Sequence, residues 1–525
     1  MAVVKFELAQ VELTENVSSH RDNKVQNYDD NTIVDIAVGN KGDLEDAGNL
    51  KLATDGHTVL VPQPSDDPND PLNWSWTKKN LILVVICTSA FLADFQAGAG
   101  TPCVKLQGKE WGISANKINF TGNLNILMVG LGGVFWVPFI YSWGRVPVLF
   151  WTTLVGTFCT LGCCLTDSFQ VYYAMRAFMG FTFTAGQTIG LAFIQDMFFF
   201  HQHARKIGFW AAIHLMAPYT TPLLGNFIIS GTENWRLVFW VVFALAAWNL
   251  LLVVLFIDEC WYRRDVVESQ QPSRGNRLTR LLGIWQWKKH HEYFLSPRLA
   301  CFRVARIIIK PIILPLMFYY MCTFMWATGI NHTSSLIFTT PAKKGGYGFT
   351  ARSLGFIYFA PLIAVCFGEL FGHFFNDFLA HRYIKSHGGR FKPETRLWSN
   401  YVAAVIMIPG ITLFGQALGH QLPWIALAFG WGMYLFGAMV ASVSTTAYAL
   451  DCYPTSPGEI AAFINLARVL GGFSVGYFQL PWGQAVGYDV AFGTQAGIIS
   501  FAVGVLVVIH IYGPRLRKWG GAVET

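Results

Sequence analysis

The sequence predicts an all-α polytopic membrane protein, with twelve transmembrane helices arranged as two six-helix bundles. Three observations carry this prediction. Hydrophobic residues make up 53% of the 525 and charged residues only 13%, a balance in which much of the apolar surface must face lipid. Twelve apolar stretches recur along the chain, each of about 20 residues and so long enough to cross a hydrocarbon layer of about 30 Å as a helix. Six precede and six follow a basic stretch at residues 258–310. Runs such as Trp235 to Ile257 lack the in-and-out alternation of a barrel strand, and helices alone then satisfy every backbone group in lipid.

In chain order, residues 1 to 65 hold more acidic than basic side chains, few aromatics and no sustained period. This predicts a disordered tail, extending as a region to residue 78. It contains no basic segment followed by an apolar core, so the first span must serve as the targeting signal. Asp66 to Trp76 turns the chain and sets Trp74 and Trp76 at headgroup level, followed by Lys78 and Lys79. The first bundle, 79–257, contains spans 1 to 6 at residues 79–101, 121–141, 148–167, 171–195, 207–229 and 237–257. After the 258–310 linker, the second bundle, 311–512, contains spans 7 to 12 at 311–332, 353–376, 398–417, 424–448, 458–480 and 491–512. Residues 513–525 form a C-terminal tail.

Orientation follows from the 38 Lys and Arg residues: 29 fall in one set of alternating segments, 7 in the other, and Arg176 and Arg468 lie inside spans. Basic residues accumulate in cytoplasmic loops, so both termini and the linker are expected in the cytoplasm of a plasma-membrane protein. The sequons at Asn119 and Asn331 then fall near outer segments and are candidate glycosylation sites, though close to the membrane. The net charge of +7 reflects this loop bias and anionic lipid rather than a nucleic-acid partner. Most of the ten cysteines lie in apolar spans, as Cys159, Cys163 and Cys164 do, and read as small core residues rather than disulfides or metal ligands.

The two halves echo each other faintly. Gly144-Arg145 follows span 2 and Asp377 with Arg382 follows span 8, each closing a glycine-containing helix. Paired halves enclosing a site are the architecture of many secondary transporters. At this point the chain resembles the major facilitator superfamily, and within it the fungal twelve-span drug:proton antiporter branch, over about residues 66 to 515. The resemblance rests on Asp67-Pro68-Asn69-Asp70-Pro71-Leu72-Asn73-Trp74, Trp143-Gly144-Arg145-Val146-Pro147-Val148 and Arg176-Ala177-Phe178-Met179-Gly180 in the first third. It rests equally on Asn234 to Trp240, on Asp258-Glu259-Cys260-Trp261-Tyr262-Arg263-Arg264, and on Phe391 to Trp398. Two departures stand out. Tyr141 occupies the place, three before Gly144, where the family usually has an acidic residue, so the family's latch must be rebuilt, with Asp377 and Arg382 as candidates. In span 5 the family's Gly-Pro antiporter motif reads Thr221-Pro222-Leu223-Leu224-Gly225-Asn226, with an added Pro218.

An ionisable group inside a span costs several kcal/mol unless paired or wet, so each is a functional candidate. These are Asp94, Arg176, His214, Glu369 and Arg468. In the resembling fold spans 1 and 4 line the cavity, which implies an Asp94–Arg176 ion pair, either alternating between proton, substrate and cation or merely orienting two helices. His214 and Glu369 fall at similar depth on spans 5 and 8, and if they meet only in one state they make a proton-sensitive gate, the alternatives being a buried hydrogen bond or a misjudged helix end. Arg468, beside Asn465, attracts an anionic group or binds backbone carbonyls. Pro218, Pro222 and Gly225 provide a hinge or a fixed kink. Aromatics such as Phe324, Trp326, Tyr358, Phe359, Trp431 and Tyr434 could wall a cavity, with core packing as the bland alternative.

Enzymatic readings fail on context. Gly472-Phe473-Ser474-Val475-Gly476 matches a hydrolase elbow but lies mid-span with no strand before it. His201, His203, His290 and His291 have no Cys or carboxylate at metal spacing, and no Gly-Lys-Ser/Thr phosphate loop is present, so energy must come from an ion gradient. The expectation is a monomeric, cofactor-free, proton-coupled transporter that exports small organic molecules, its partners being substrate, protons and lipid. An importer of a cationic metabolite such as a polyamine, or a sensor signalling through its acidic tail, are the alternatives.

Overall fold

In the computed structural model the described residues are 51, 60 and 62–521, apart from 265, 267–269, 290, 342–345, 388–390 and 454–455. The expectation of a disordered tail over residues 1–50 lies outside them. From residue 62 onward the chain is held. Asp70, fully buried, accepts from the Leu72 amide and pairs with Arg264 at 3.1 Å, so the expected tail region ends well before residue 78.

Among the described residues, eleven helices are long and apolar enough to cross a membrane. Span 1 is Trp76–Gly98 and Gly100–Trp111, span 2 Ala115–Ser142, span 3 Arg145–Leu165, span 4 Phe169–Phe183 and Ala185–Met197, and span 6 Arg236–Phe256. Span 7 is Ile313–Phe338, span 8 Ala351–Ile357 and Phe359–Ser386, span 9 Trp398–Gly419, span 10 Trp424–Cys452, span 11 Pro457–Val486 and span 12 Tyr488–Gly520. The twelfth helix, Phe200–Thr232, takes the place of span 5. It is long enough, but His214, Thr220, Thr221 and its two prolines dilute its apolar character. Several helices outrun the predicted spans, because a helix continues past the lipid wherever its polar turns can be solvated. Span 12 runs to Gly520, which corrects the tail expected from residue 513. Arg517 there pairs with Glu394 at 2.7 Å.

Proline sets the interruptions of spans 1 and 8. Pro102 and Pro361 have no N–H to give the carbonyls of Gly98 and Ile357 four residues earlier, and spans 1 and 8 break at Ala99 and Tyr358. Span 5 is continuous through Pro218 and Pro222. The Pro218 carbonyl that Pro222 leaves unpaired accepts instead from Asn331 Nδ2 of span 7, at 3.0 Å.

The halves meet along two seams, span 2 against span 11 and span 5 against span 8. Small residues allow the first approach: Gly130 lies against Val469 and Gly133 against Asn465. Large apolar side chains such as Phe158, Phe374, Val405, Phe501 and Ile511 are exposed on the outer surface, as a lipid-facing belt requires. The linker is folded. Its helix Pro297–Ile308 buries Ala300, Val304 and Ile307, and Asp258 draws together Lys78, Arg274 and Arg280 at 2.9, 3.4 and 2.9 Å. Burial works against the charge of Asp258, but Lys78 first, and then the two guanidiniums, hold its carboxyl below the usual range.

Candidate functional site

One ion pair joins the halves within the membrane. Asp94 of span 1 and Arg468 of span 11 stand 3.3 Å apart, with side chains 8% and 10% exposed. Arg468 also donates to Asn465 Oδ1 at 2.8 Å and lies 5.8 Å from the Phe324 ring. The expected partner of Asp94, Arg176, is engaged elsewhere. Arg176 is fully buried and donates to the carbonyls of Gln96 at 2.6 Å and Ala97 at 3.0 Å, acceptors at the Ala99 break of span 1. Asn125 Nδ2 in turn donates to the Arg176 carbonyl at 2.6 Å. The Asp94–Arg176 expectation is therefore corrected: the broken helix presents carbonyls that outcompete a carboxylate for the guanidinium.

Below the pair, a cavity of about 300 Å³ runs between the halves to the side that carries the linker. Arg468 and Leu215 separate it from a smaller chamber of about 40 Å³ that reaches Asp94, Asn331 and His332. The larger cavity is lined by Gln187 and Leu191 of span 4, Trp210 and His214 of span 5, Tyr320 of span 7, and Glu369, His373 and Asn376 of span 8. At its mouth stand Asp377, Arg396 and Asp451. The opposite side is closed. There Lys105 Nζ donates to the Thr339 carbonyl at 3.3 Å, Asn331 binds span 5, and Phe227 packs on Phe356 at 5.1 Å.

His214 and Glu369 share this cavity but do not bond. His214 Nδ1 faces the Trp210 carbonyl at 3.2 Å and its ring packs on Trp210 at 4.6 Å. Glu369 Oε2 lies 3.5 Å from His373 Nε2, one helical turn along the same helix, so in this conformation Glu369 has an i,i+4 partner rather than His214. Glu369 Oε1 and Asn376 Oδ1, both on buried residues, have no hydrogen-bond partner among the described residues.

The span-end charges are also redistributed. Asp377 pairs with Arg396 at 3.3 Å, and Arg396 binds Asp451 at 2.7 Å; Arg382 is exposed and has no ion pair among the described residues. In the first half Arg145 pairs with Asp196, while Glu259 accepts the Val146 amide at 3.1 Å. Gly144, at φ 92°, leads into this turn, where a Cβ would meet Glu259 Oε2 at 2.7 Å; glycine is needed there. Thus Arg145–Asp196 and Arg396–Asp451 occupy matching places in the two halves. Tyr141 donates to Glu459 Oε2 of span 11 at 3.3 Å, and Arg303 of the linker helix lies 3.4 Å from Glu459 Oε1 and 5.2 Å from the Tyr141 ring. Gly225 lies against Pro102 of span 1. Asn119 and Asn331 are both buried within helices, which corrects the glycosylation expectation: neither side chain can be reached by a transferase.

Of the expected wall aromatics, Phe324 lines the smaller chamber, whereas Trp326, Tyr358, Trp431 and Tyr434 are packed in the second bundle's core and Phe359 is exposed.

Comparison with known proteins places these features in a family. The Major Facilitator Superfamily profile matches residues 86–476. An efflux pump of Floropilus chiversii, radE, is 22% identical over 86% of this chain and 84% of its own length. The multidrug transporter FLR2 of Candida glabrata is 24% identical over 86% and 77%, and an uncharacterized MFS-type transporter of Schizosaccharomyces pombe is 21% identical over 89% of each. Among solved structures, the proton:xylose symporter XylE superposes with a TM-score of 0.56 at 13% identity, covering 83% of this chain and 96% of its own. The human organic anion transporter MFSD10 gives 0.56 at 15%, covering 82% and 99%.

Proposed function

This chain belongs to the major facilitator superfamily and is a secondary transporter, and we propose that it exports small organic, drug-like molecules in exchange for protons, as a member of the fungal twelve-span drug:proton antiporter branch. The observation that carries the reading is the Asp94–Arg468 pair, which bridges the two halves at the head of the cavity. While Asp94 is ionised, the pair helps hold the halves in the arrangement open on the linker side. A proton on Asp94 removes the attraction and leaves the guanidinium with Asn465 Oδ1 as its remaining side-chain acceptor. Arg468 can then no longer favour this arrangement over its alternative.

A ligand moves such an equilibrium only by its differential affinity for the two states. Exchange requires that cargo and a proton on Asp94 exclude each other, so that the halves cross in one direction with cargo and return with the proton. The excess of basic residues in the linker-side segments, 29 against 7, supports that side as cytoplasmic, and the names of the Floropilus and Candida relatives support export. A plasma-membrane location follows from the same reading.

Purified protein reconstituted in liposomes, with a pH gradient imposed, tests this. Wild type is expected to move cationic dyes against their gradient, and Asp94→Asn to lose gradient-driven transport by about tenfold or more, a loss of roughly 1.4 kcal/mol in coupling. Unchanged gradient dependence in Asp94→Asn would refute the role given to this carboxylate.

A further inference from the structure

Charge in the cavity is unevenly matched. Among the described residues lining the two chambers, four carboxylates (Asp94, Glu369, Asp377 and Asp451) face two guanidiniums (Arg396 and Arg468). Both guanidiniums are already committed, Arg468 to Asp94 and Arg396 to Asp377 and Asp451. Glu369 is left with no permanent cation. Its residue is 3% exposed, and a carboxylate so placed is costly unless a counter-charge and hydrogen-bond donors reach it.

The side chain is satisfied on one side only. Oε2 faces His373 Nε2 at 3.5 Å, whereas Oε1 has no partner among the described residues. Two turns along, at i+7 and therefore on the same helical stripe, Asn376 is 1% exposed and its Oδ1 is also unpartnered. Both atoms are acceptors, each covered in this arrangement, and their residues line the cavity. Trp210 and Tyr320 add aromatic wall, and Leu191, Leu215 and Ile464 supply apolar wall. Acceptors along one stripe within an aromatic and apolar wall suit a cation bearing N–H donors and an apolar body.

We propose that Glu369 binds the ammonium group of an organic amine and that Asn376, about 10 Å along the same stripe, accepts from a second N–H donor of the cargo, so that the cargo is a protonated amine rather than an organic anion. The inference rests on reading this cavity as the transport cavity, and it is independent of the direction of flux. Glu369 and Asn376 are binding residues in it, and Asp94 is not part of it.

The test is equilibrium binding to the full chain in lipid nanodiscs, with no gradient present. The probes are tryptamine, spermidine and rhodamine 6G, with indole-3-propionate as the anionic counterpart of tryptamine. At least one amine is expected to bind, indole-3-propionate at least tenfold more weakly than tryptamine if tryptamine binds. Glu369→Gln, equal in shape but uncharged, should weaken amine binding about tenfold or more, since every 1.4 kcal/mol of lost charge-assisted bonding is a factor of ten. Glu369→Asp, which keeps the charge, should retain more binding than Glu369→Gln, guarding against a loss that is merely one of folding. Asn376→Ala should weaken it several-fold.

Binding of none of the amines, amine binding unchanged in Glu369→Gln, or preference for the anion would overturn the proposal. Asp94→Asn separates this from the coupling proposal. If it retains amine binding but also retains gradient-driven transport, the coupling role of Asp94 fails and the amine subsite stands. If Asp94→Asn uncouples transport while Glu369→Gln binds amines normally, the subsite fails and the coupling role stands.

Discussion

Arg176 was legible in the sequence as a buried cation needing a partner, and its depth matched that of Asp94. Depth along a helix does not give the direction a side chain takes around it, however, and the partners are carbonyls exposed where span 1 breaks. The break could be read from Ala99-Gly100-Thr101-Pro102, since Pro102 leaves the Gly98 carbonyl free. A lysine cannot span two carbonyls as a planar guanidinium does. Arg176→Lys should therefore lower the thermal midpoint of the detergent-purified protein, at a cost of about 3 kcal/mol for an imperfectly satisfied buried charge. An unchanged midpoint would mean that the clamp adds nothing to stability. Glu369–His373 shows the complementary lesson: its i,i+4 spacing was in the sequence, but the expected partner was sought across the halves. Asp196 and Asp451 escaped notice because they lie at span ends rather than within them, although their matching places in spans 4 and 10 were a usable signal.

At the scale of elements, the spans were readable from hydropathy and their ends were not, since polar turns continue a helix beyond lipid without any change of period. Span 5 is the instructive case, long enough to cross yet too polar to stand out by composition. Its free Pro218 carbonyl ties it to Asn331 of span 7 at 3.0 Å, which no sequon reading would suggest. Asn331→Ala removes that bond and should cost about 1–3 kcal/mol in the closed arrangement of the side away from the linker. A cysteine introduced at Lys105 on that side is expected to react faster with a membrane-impermeant maleimide in the Asn331→Ala background; equal rates would deny Asn331 this role. The linker junction gives a pH-dependent element. The carboxyl of Asp258 is held below its usual range in the folded state, so its contribution is fully present above the unfolded value and is lost as pH falls through the lower folded value. Asp258→Asn should accordingly lower the thermal midpoint at neutral pH, and the difference from wild type should shrink under strong acid. A constant difference would place the effect outside this charge.

For the whole molecule, the two-bundle plan followed from six spans, a basic linker and six spans, and the family residues reinforced it. The arrangement of the halves did not follow, because it depends on contacts between residues hundreds of positions apart. Tyr141, Glu459 and Arg303 illustrate this. The family's acidic position is vacant, yet a carboxylate returns from span 11, and the linker helix brings its cation to it. Together with Asp94–Arg468, these contacts bind the halves along one seam while the cavity opens between spans 4 and 10 on the linker side. Transport by rocking requires that such cross-half contacts be broken and remade in each cycle.

The central claim, that the Asp94–Arg468 pair couples protons to this motion, is tested most directly by dye transport into or out of liposomes under an imposed pH gradient, comparing wild type with Asp94→Asn. The account predicts transport that follows the gradient in wild type and, in the variant, residual exchange that no longer responds to it. Identical gradient dependence in both proteins would contradict it.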